Sequence, residues 1–137
     1  MSNPSELDAQ IINEVADALI YSDRSGTITR WNRASTALFG FTADEALGQN
    51  LDLIVPEHLR AAHWKGFDAA LASGTMKLAG KPTLTRALHK SGRKLYIEMT
   101  FALVRDKDGA VQGSVAMARD VTGRIERERA AKAAQNS

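Results

Sequence analysis

Residues 23–45 constrain the fold of this chain more than any other segment, because they join two strands to two short helices. A run of apolar residues over 18–21 precedes the turn sequence Asp-Arg-Ser-Gly, and an alternating run over 27–31 follows it. Gly26 can adopt the positive φ that such a turn needs. Two strand-like runs around a short turn with glycine predict a β-hairpin.

Helix-capping residues follow the hairpin at once. Asn32 can accept hydrogen bonds from the free N–H groups of a helix predicted over residues 34–39, and Gly40 can end that helix. Thr42 and Glu45 have the spacing of a capping box, which predicts a second helix start. The segment therefore predicts a sheet edge that leads directly into short helices.

The rest of the chain predicts two flanking helices, a middle helix and three more strands. The predicted ranges are 5–16 for the opening helix, 50–54 for a helical turn, 56–73 for the middle helix, 82–89, 94–104 and 111–119 for the strands, and 120–135 for the closing helix. Helices grouped between the second and third of five strands indicate an α+β domain with an antiparallel sheet.

Composition narrows the class of protein. A chain of 137 residues with 44% hydrophobic residues is one domain with a substantial core. The net charge is only +2 and no basic block occurs, so we expect no nucleic-acid partner. The absence of cysteine excludes disulfides, thiolate metal sites, cysteine nucleophiles and a cysteinyl flavin.

Membrane and export signals are also missing from the sequence. No apolar run approaches the roughly 18 residues that a membrane span needs. Polar residues interrupt the N-terminus, so it does not have the pattern of a signal peptide. We therefore expect a soluble cytoplasmic protein, or a cytoplasmic piece of a larger one, with no membrane partner.

Four motifs in order resemble the PAS domain family. They are G-T-I-T-R-W-N at 26–32, F-G-F-T-A-D-E-A-L-G at 39–48, the turn D-K-D-G at 106–109 and R-D-V-T-G-R at 119–124. The resemblance covers roughly residues 10–124. It implies the PAS fold, in which a five-stranded antiparallel sheet carries short helices on one face and flanking helices pass signals onward. The implied division is a flanking helix over 1–16, a PAS core over 17–120 and an exit helix over 121–137.

The middle helix places one histidine on its apolar stripe. At ~100° per residue, the stripe falls within an arc of roughly 120°, and His58 lies outside it. The stripe consists of Leu59, His63, Phe67, Ala70 and Leu71. A neutral imidazole on an apolar wall is a suitable axial ligand for haem iron. Periodicity therefore makes His63 the candidate ligand.

The family resemblance extends to this histidine. The sequence P-E-H-L-R-A-A-H at 56–63 is similar to the segment that carries the proximal haem histidine in PAS domains of bacterial oxygen-sensing kinases, a two-component context. It implies that His63 takes that role. Thr83 stands where those sensors have an oxygen-contacting arginine, and Lys81-Pro82 replaces their G-x-G approach. Without that charge a bond to bound oxygen is weaker, which argues against that specific kind of oxygen sensing.

A pocket between the middle helix and the sheet is the expected binding site. Its predicted lining is Leu59, His63, Phe67, Ile97, Met99 and Met117, and the resemblance implies that Leu78, Thr83, Phe101 and Leu103 also belong to it. The resemblance also implies that the end of the last strand links the core to the exit helix. Arg119, Asp120 and Thr122 are the predicted relay, since the Asp carboxylate or the Thr hydroxyl can cap the departing helix.

Two functions remain open on the sequence. One is a sensory module with a ligand or cofactor in the pocket, with haem at His63 as its sharpest form. The other is a cofactor-free interaction module, since a lone histidine on an apolar stripe is also commonly a hydrogen-bonded core residue. In either case we expect a homodimer through the opening-helix stripe Leu7, Ile11 and Val15, or docking to an effector such as a histidine kinase. No motif for nucleophilic catalysis is present, so we do not expect an enzyme.

Overall fold

The computed structural model describes residues 3–76 and 80–136, and these form five strands and five α-helices. The strands are β1 (Ala18–Asp23), β2 (Ile28–Trp31), β3 (Thr83–Leu88), β4 (Lys94–Arg105) and β5 (Val111–Asp120). The helices are α1 (Pro4–Glu14), α2 (Arg33–Phe39), α3 (Ala43–Ala46), α4 (Arg60–Ser73) and α5 (Thr122–Gln135). Two 3₁₀ turns, Leu51–Leu53 and Glu57–Leu59, precede α4.

The five strands form one antiparallel sheet in the order β2-β1-β5-β4-β3. The predicted α+β fold is therefore confirmed. Strand register aligns Thr83 with Met99 and Met99 with Ala118, so these residues share one face. The alternation predicted for β4 is present, because Leu95, Ile97 and Met99 are buried on that face. Helices α2 and α3 cover part of the same face and complete the core with Phe39 and Ala46.

The start of the middle helix differs from the sequence expectation. Pro56 was expected to be the first helical residue, but it precedes a 3₁₀ turn and α4 begins only at Arg60. The Arg60 guanidinium donates to the carbonyl oxygens of Val55 (3.1 Å) and Asp52 (3.3 Å). These two bonds hold the chain in a bend, and the bend delays the start of the regular helix.

Asn32 is the polar centre of the first half of the molecule. Its Oδ1 accepts from the backbone N–H groups of Leu19 (2.9 Å) and Ser35 (3.0 Å). Its Nδ2 donates to the carbonyl oxygens of Ile12 (2.9 Å) and Asp17 (3.1 Å). The predicted helix cap is thus present, and the same side chain also joins α1, β1 and α2, which no sequence pattern indicated.

The two flanking helices are held weakly by the core. Helix α1 buries none of its residues, and its apolar side chains Leu7 and Ile11 are 50% and 52% exposed. Helix α5 buries only Ile125. Within residues 3–76 and 80–136, no helix has the length and apolar character that crossing a bilayer requires.

Candidate functional site

Helix α4 presents the predicted apolar stripe. Phe67 and Ala70 are buried, and Leu59, His63 and Leu71 are half-buried. Gly74, with φ +70°, ends the helix in the left-handed conformation that glycine favours. The 3.6-residue period thus identified the side of α4 that is withdrawn from solvent, and His63 is its one titratable residue.

The His63 ring lies in an aromatic cluster. Its centroid is 4.7 Å from the Trp64 ring in an edge-on arrangement and 6.1 Å from the Phe67 ring, which it stacks against at 27°. His63 Nδ1 is buried and has no hydrogen-bond partner among the described residues. A buried ring nitrogen without a partner costs free energy, so this atom is the most unusual polar feature of the helix.

Burial also sets the protonation state of His63. Loss of water around the ring lowers the pKa of His63 below its usual value, and the nearby carboxylates of Asp52 and Asp68 only partly oppose this effect. The imidazole is therefore neutral near pH 7. A neutral imidazole can coordinate a metal ion or accept a hydrogen bond from a ligand.

Trp64 is a site residue that the sequence reasoning missed. Its indole Nε1 donates to Asp52 Oδ1 at 2.8 Å, and its ring covers Gly26 in the hairpin turn. A Cβ added at Gly26 would contact the Trp64 ring, with Cζ3 at 2.6 Å. Trp64 thus fixes the start of α4 against the β1–β2 turn. A bulky aromatic residue directly after the candidate histidine was the available signal.

The residues predicted to form the opposite wall of the site lie mainly on the core face of the sheet. Ile97 and Met99 are buried on the core face of β4, and Phe101 and Leu103 are half-buried on the same face. Thr83 pairs with Met99 in register, and its hydroxyl donates to the Lys81 carbonyl oxygen at 3.3 Å.

Two residues of the predicted lining are not part of this wall as described. Met117 pairs with Thr100 and Leu19, so it lies on the other face of the sheet, and its placement in the pocket wall was wrong. The reason is the period of two along a strand, which alternates the faces of Met117 and its core-facing neighbour Ala118. Leu78 lies outside the described residues.

Two cavities lie elsewhere on the molecule, and His63 lines neither of them. One, of about 470 Å³, is formed by α1, α2 and the ends of β1 and β5. The other, of about 480 Å³, lies at the edge strand β3, between the second 3₁₀ turn and α5. The sequence pattern predicted neither cavity.

The predicted relay residues occupy the junction of β5 and α5. Asp120 Oδ1 accepts from the Thr122 N–H at 2.9 Å, but the N-cap position of α5 is Val121, which has no side-chain cap bond, so Asp120 binds one residue before the expected cap. The Thr122 hydroxyl instead binds the backbone of Tyr96 in β4, accepting from its N–H at 2.9 Å and donating to its carbonyl oxygen at 3.3 Å. Thr122 is therefore a clip between α5 and the sheet rather than a capping residue.

Arg119 joins this junction to the start of the core. Its Nη2 lies 3.2 Å from Asp17 Oδ2, in the loop between α1 and β1. The hydrogen bond to Asp17 and the charge of its carboxylate raise the pKa of Arg119 above its usual value. The ion pair is largely exposed, so its contribution to stability is small. Its location is more informative, because it ties the entry of β1 to the exit of β5.

His63 is the candidate metal-coordinating side chain of this site. Among residues 3–76 and 80–136, no group of three or more His, Cys, Asp and Glu side chains is arranged to hold a metal ion. A haem iron can be held by one protein ligand, because the porphyrin itself supplies four nitrogen ligands. The neutral ring of His63, with an unpartnered buried nitrogen and apolar neighbours, fits that requirement in its chemistry.

Comparison with known proteins identifies the family. The model of the PAS fold matches residues 6–121, and the chain therefore belongs to the PAS family. PAS domains are typical of sensory signal-transduction proteins and are generally sensing or interaction modules rather than enzymes.

Two relatives are much longer than this chain. It is 30% identical over 115 residues to an uncharacterized protein of Azorhizobium caulinodans, covering 83% of this chain and 15% of that protein. It is 38% identical over 53 residues to the sensor protein FixL of Bradyrhizobium diazoefficiens, covering 39% of this chain and 10% of FixL. The chain thus corresponds in length to a small part of each relative.

Solved structures share the fold. A PAS domain from Colwellia psychrerythraea has a TM-score of 0.75 at 22% identity, covering 88% of this chain and 99% of that one. The PAS domain of Bordetella pertussis BvgS has a TM-score of 0.69 at 18% identity, covering 98% of each chain. An RNA-binding light-oxygen-voltage receptor has a TM-score of 0.72 at 22% identity, covering 97% of this chain and 37% of the receptor. At these identities the likeness extends to the fold alone.

Proposed function

We propose that this PAS domain is a sensory module that binds a small molecule or cofactor against His63 and passes the resulting change to α5. The observation that supports it most is the buried Nδ1 of His63, which has no hydrogen-bond partner within residues 3–76 and 80–136. Proteins seldom keep such an atom without a reason, and a ligand that bonds to the ring would supply one.

Haem is the most specific candidate for the bound cofactor. His63 would hold the iron, and Phe67, Met99 and Phe101 would provide apolar contacts for the porphyrin. Bound haem would supply a site for a diatomic gas or for one-electron chemistry. The similarity to FixL supports haem as the candidate to test first. Thr83 offers a hydroxyl, not a charged donor, so the oxygen-binding device of arginine-bearing sensors is not proposed here.

The relay follows from strand connectivity. Ile97 lies on the candidate wall, pairs with Asp120 in β5, and adjoins Tyr96, whose backbone binds the Thr122 hydroxyl. A shift of β4 at Ile97 would therefore reach the first turn of α5 through the Thr122 clip. The ligand must bind the two positions of β4 with different affinity, since equal affinity would shift nothing.

Visible absorption spectroscopy tests the haem proposal. Protein expressed with added haem precursor is expected to show a Soret band that His63→Ala abolishes. His58→Ala is the matched control, because His58 is exposed on the turn just before α4 and should leave the band unchanged. Wild-type protein without a band, or a band that survives His63→Ala, would reject haem at this residue. Native mass spectrometry of the same samples then decides whether a different small molecule is bound.

Hydrogen exchange tests the relay separately. Thr122→Val removes the hydroxyl that binds Tyr96 but keeps a similar shape. We expect faster amide exchange in α5 and a loss of any ligand-dependent change there, while ligand binding at His63 is retained. Thr100→Val, on β4 away from α5, is the control. Equal exchange of α5 amides in wild type and Thr122→Val would remove Thr122 from the proposed path.

A second candidate function is a cofactor-free dimerisation module. It is favoured by α1, which exposes Leu7 and Ile11 while burying none of its own residues. We propose that a second copy of this chain covers that stripe, together with the half-buried Val15. An effector such as a histidine kinase could then respond to the geometry of the dimer.

Sedimentation measurements test the dimer. Ile11→Glu is expected to shift the protein toward monomer at micromolar concentration, because it buries a charge in an apolar contact. Gln10→Glu adds the same charge next to it and should leave the mass unchanged. A monomeric wild type, or equal masses for both variants and wild type, would contradict a dimer through α1.

A further inference from the structure

The cavity at the edge strand β3 carries two arginines from different elements. Arg86 lies on β3 and Arg129 on α5, and both line the cavity of about 480 Å³ together with Tyr96, Leu59, Leu84 and His58. Cavities of this size, on the order of 300 to 1,000 Å³, accommodate small organic ligands.

The two guanidinium groups converge on one aromatic ring. The Arg129 carbon Cζ lies 4.8 Å from the centroid of the Tyr96 ring, and the Arg86 Cζ lies 5.5 Å from it. Each contact is a favourable cation–π interaction, but two positive charges this close to one ring also repel each other. Tyr96 therefore holds together two charges that would otherwise separate.

Neither charge is neutralised by the protein. Within residues 3–76 and 80–136, Arg86 and Arg129 form no ion pair and no hydrogen bond. Glu98 of β4 is aligned with Leu84 and Arg119 in the sheet, not with Arg86. By contrast, Arg124 on the same helix pairs with Glu128 at 3.7 Å. The cavity is thus positively charged and lacks an internal counterion.

We propose that this cavity binds a small organic dianion, such as a dicarboxylate or a phosphate ester, between Arg86 and Arg129. Guanidinium groups bind carboxylate and phosphate oxygens in a bidentate manner, and one dianion can serve both. The Tyr96 ring, Leu59 and Leu84 offer apolar contact to the carbon part, and the His58 imidazole adds a polar group at the rim.

A ligand in this cavity would lie between the sheet and α5, so it could change how α5 is attached to the sheet. Tyr96 is also the residue whose backbone binds the Thr122 hydroxyl, and Arg129 lies seven residues further along α5. The Arg129–Tyr96 contact already joins the second turn of α5 to the sheet, and a dianion bridging Arg86 to Arg129 would strengthen that attachment. This inference is independent of the ligand proposed at His63, so His63→Ala should leave it intact.

Calorimetry and thermal unfolding at constant ionic strength test the proposal, with sodium phosphate and sodium succinate as the two probes and chloride as the reference. At about 10 mM anion we expect a higher unfolding midpoint than in chloride, because a ligand that binds only the folded state stabilises it. The probe with the larger effect identifies the phosphate or the dicarboxylate class. Arg86→Gln and Arg129→Gln should each weaken binding about tenfold or more.

Matched variants make the outcome decisive. Arg127→Gln removes the same charge from an exposed position of α5 outside the cavity and should bind the anion as wild type does. Circular dichroism of each variant establishes that it is folded. The proposal is overturned if neither anion raises the midpoint above chloride, or if Arg127→Gln weakens binding as much as Arg129→Gln. Tyr96→Leu should lower the affinity as well, since it removes the ring that gathers the two arginines.

Discussion

Asn32 and His63 are both polar side chains placed against apolar surroundings, yet only Asn32 has all its hydrogen-bonding atoms engaged. The amide of Asn32 is 2% exposed, accepts from Leu19 and Ser35 and donates to two backbone carbonyls. His63 is half-buried, and its Nδ1 has no partner among the described residues. Burial of the polar group is thus compensated by hydrogen bonds at Asn32 but not at His63 Nδ1.

Asn32 helps to specify the fold, whereas the buried nitrogen of His63 lowers the stability of the folded state. A fully satisfied buried amide stabilises one arrangement of the backbone around it, because any other arrangement leaves its groups unpaired. A buried nitrogen without a partner lowers stability, and such departures are expected where function requires them. Asn32 therefore stabilises the hairpin and α2, whereas the start of α4 has the feature expected of a binding region.

The largest effect is expected when Asn32 is replaced. Asn32→Ala removes the cap of α2 and strands the buried groups of Leu19 and Ile12, so we expect a loss of about 3 kcal/mol or more of unfolding free energy. Denaturant unfolding measures it. Asn50→Ala is the control, since Asn50 is exposed and its side chain caps a 3₁₀ turn by accepting from the Asp52 N–H, and it should cost about 1 kcal/mol or less. Equal losses in both variants would refute a special role for Asn32.

The next effect concerns the contact that joins the two regions. Gly26 has φ +83° and lies under the Trp64 ring, so Gly26→Ala combines backbone strain with a steric clash. We expect a loss of about 2 kcal/mol or more. Gly48→Ala isolates the strain, because Gly48 has φ +86° and no heavy atom within 4 Å of the added Cβ, and we expect about 1 kcal/mol there.

A double-mutant cycle sharpens this test. If Trp64 is the cause of the extra loss, Gly26→Ala should cost no more than Gly48→Ala in a Trp64→Leu background. An unchanged penalty in that background would place the strain in the hairpin turn alone. In that case Trp64 would not be the residue that fixes α4 to the hairpin.

Local signals predicted the first region well and the second only in part. Asn32, Gly40 and the Thr42–Glu45 box act within a few residues of themselves, so their roles followed from spacing. The alternation of β4 likewise identified its core face. Met117 was misplaced because β5 contains small and polar residues on both faces, which obscures the period of two.

Contacts between distant segments were not predictable from spacing. The Asn32 bonds to Ile12 and Asp17, the Trp64 ring over Gly26, and the pairing of Arg86 and Arg129 at Tyr96 each join elements whose relative position depends on the whole fold. The periodicity of α4 placed His63 on the buried side. It could not show that the ring Nδ1 is buried without a partner, because that depends on neighbours from other elements.

A smaller and opposite effect is expected at His63. His63→Phe keeps a ring against Trp64 and Phe67 and removes the unpartnered nitrogen, so it should raise the stability of the ligand-free protein by up to about 1 kcal/mol. His89→Phe is the control, because the Nδ1 of His89 is bonded to Ser91 at 2.9 Å and its loss should destabilise. A destabilised His63→Phe would indicate that the nitrogen has a partner in solution.

The smallest expected effect is a change of stability with pH that is caused by the titration of His63. Burial holds the pKa of folded His63 below the unfolded value of about 6.5, so the unfolded chain takes up the proton first. The free energy of unfolding is therefore independent of this titration well above pH 6.5. It decreases as the pH falls from about 6.5 toward the pKa of folded His63. The pKa values of Asp23 and Glu45 are also lowered, so both carboxylates stay ionised across this window and their effects appear only in stronger acid. Unfolding midpoints between pH 7.5 and 5.5 should therefore fall more steeply for wild type than for His63→Phe, and parallel curves would mean that the ring is solvated in the folded protein.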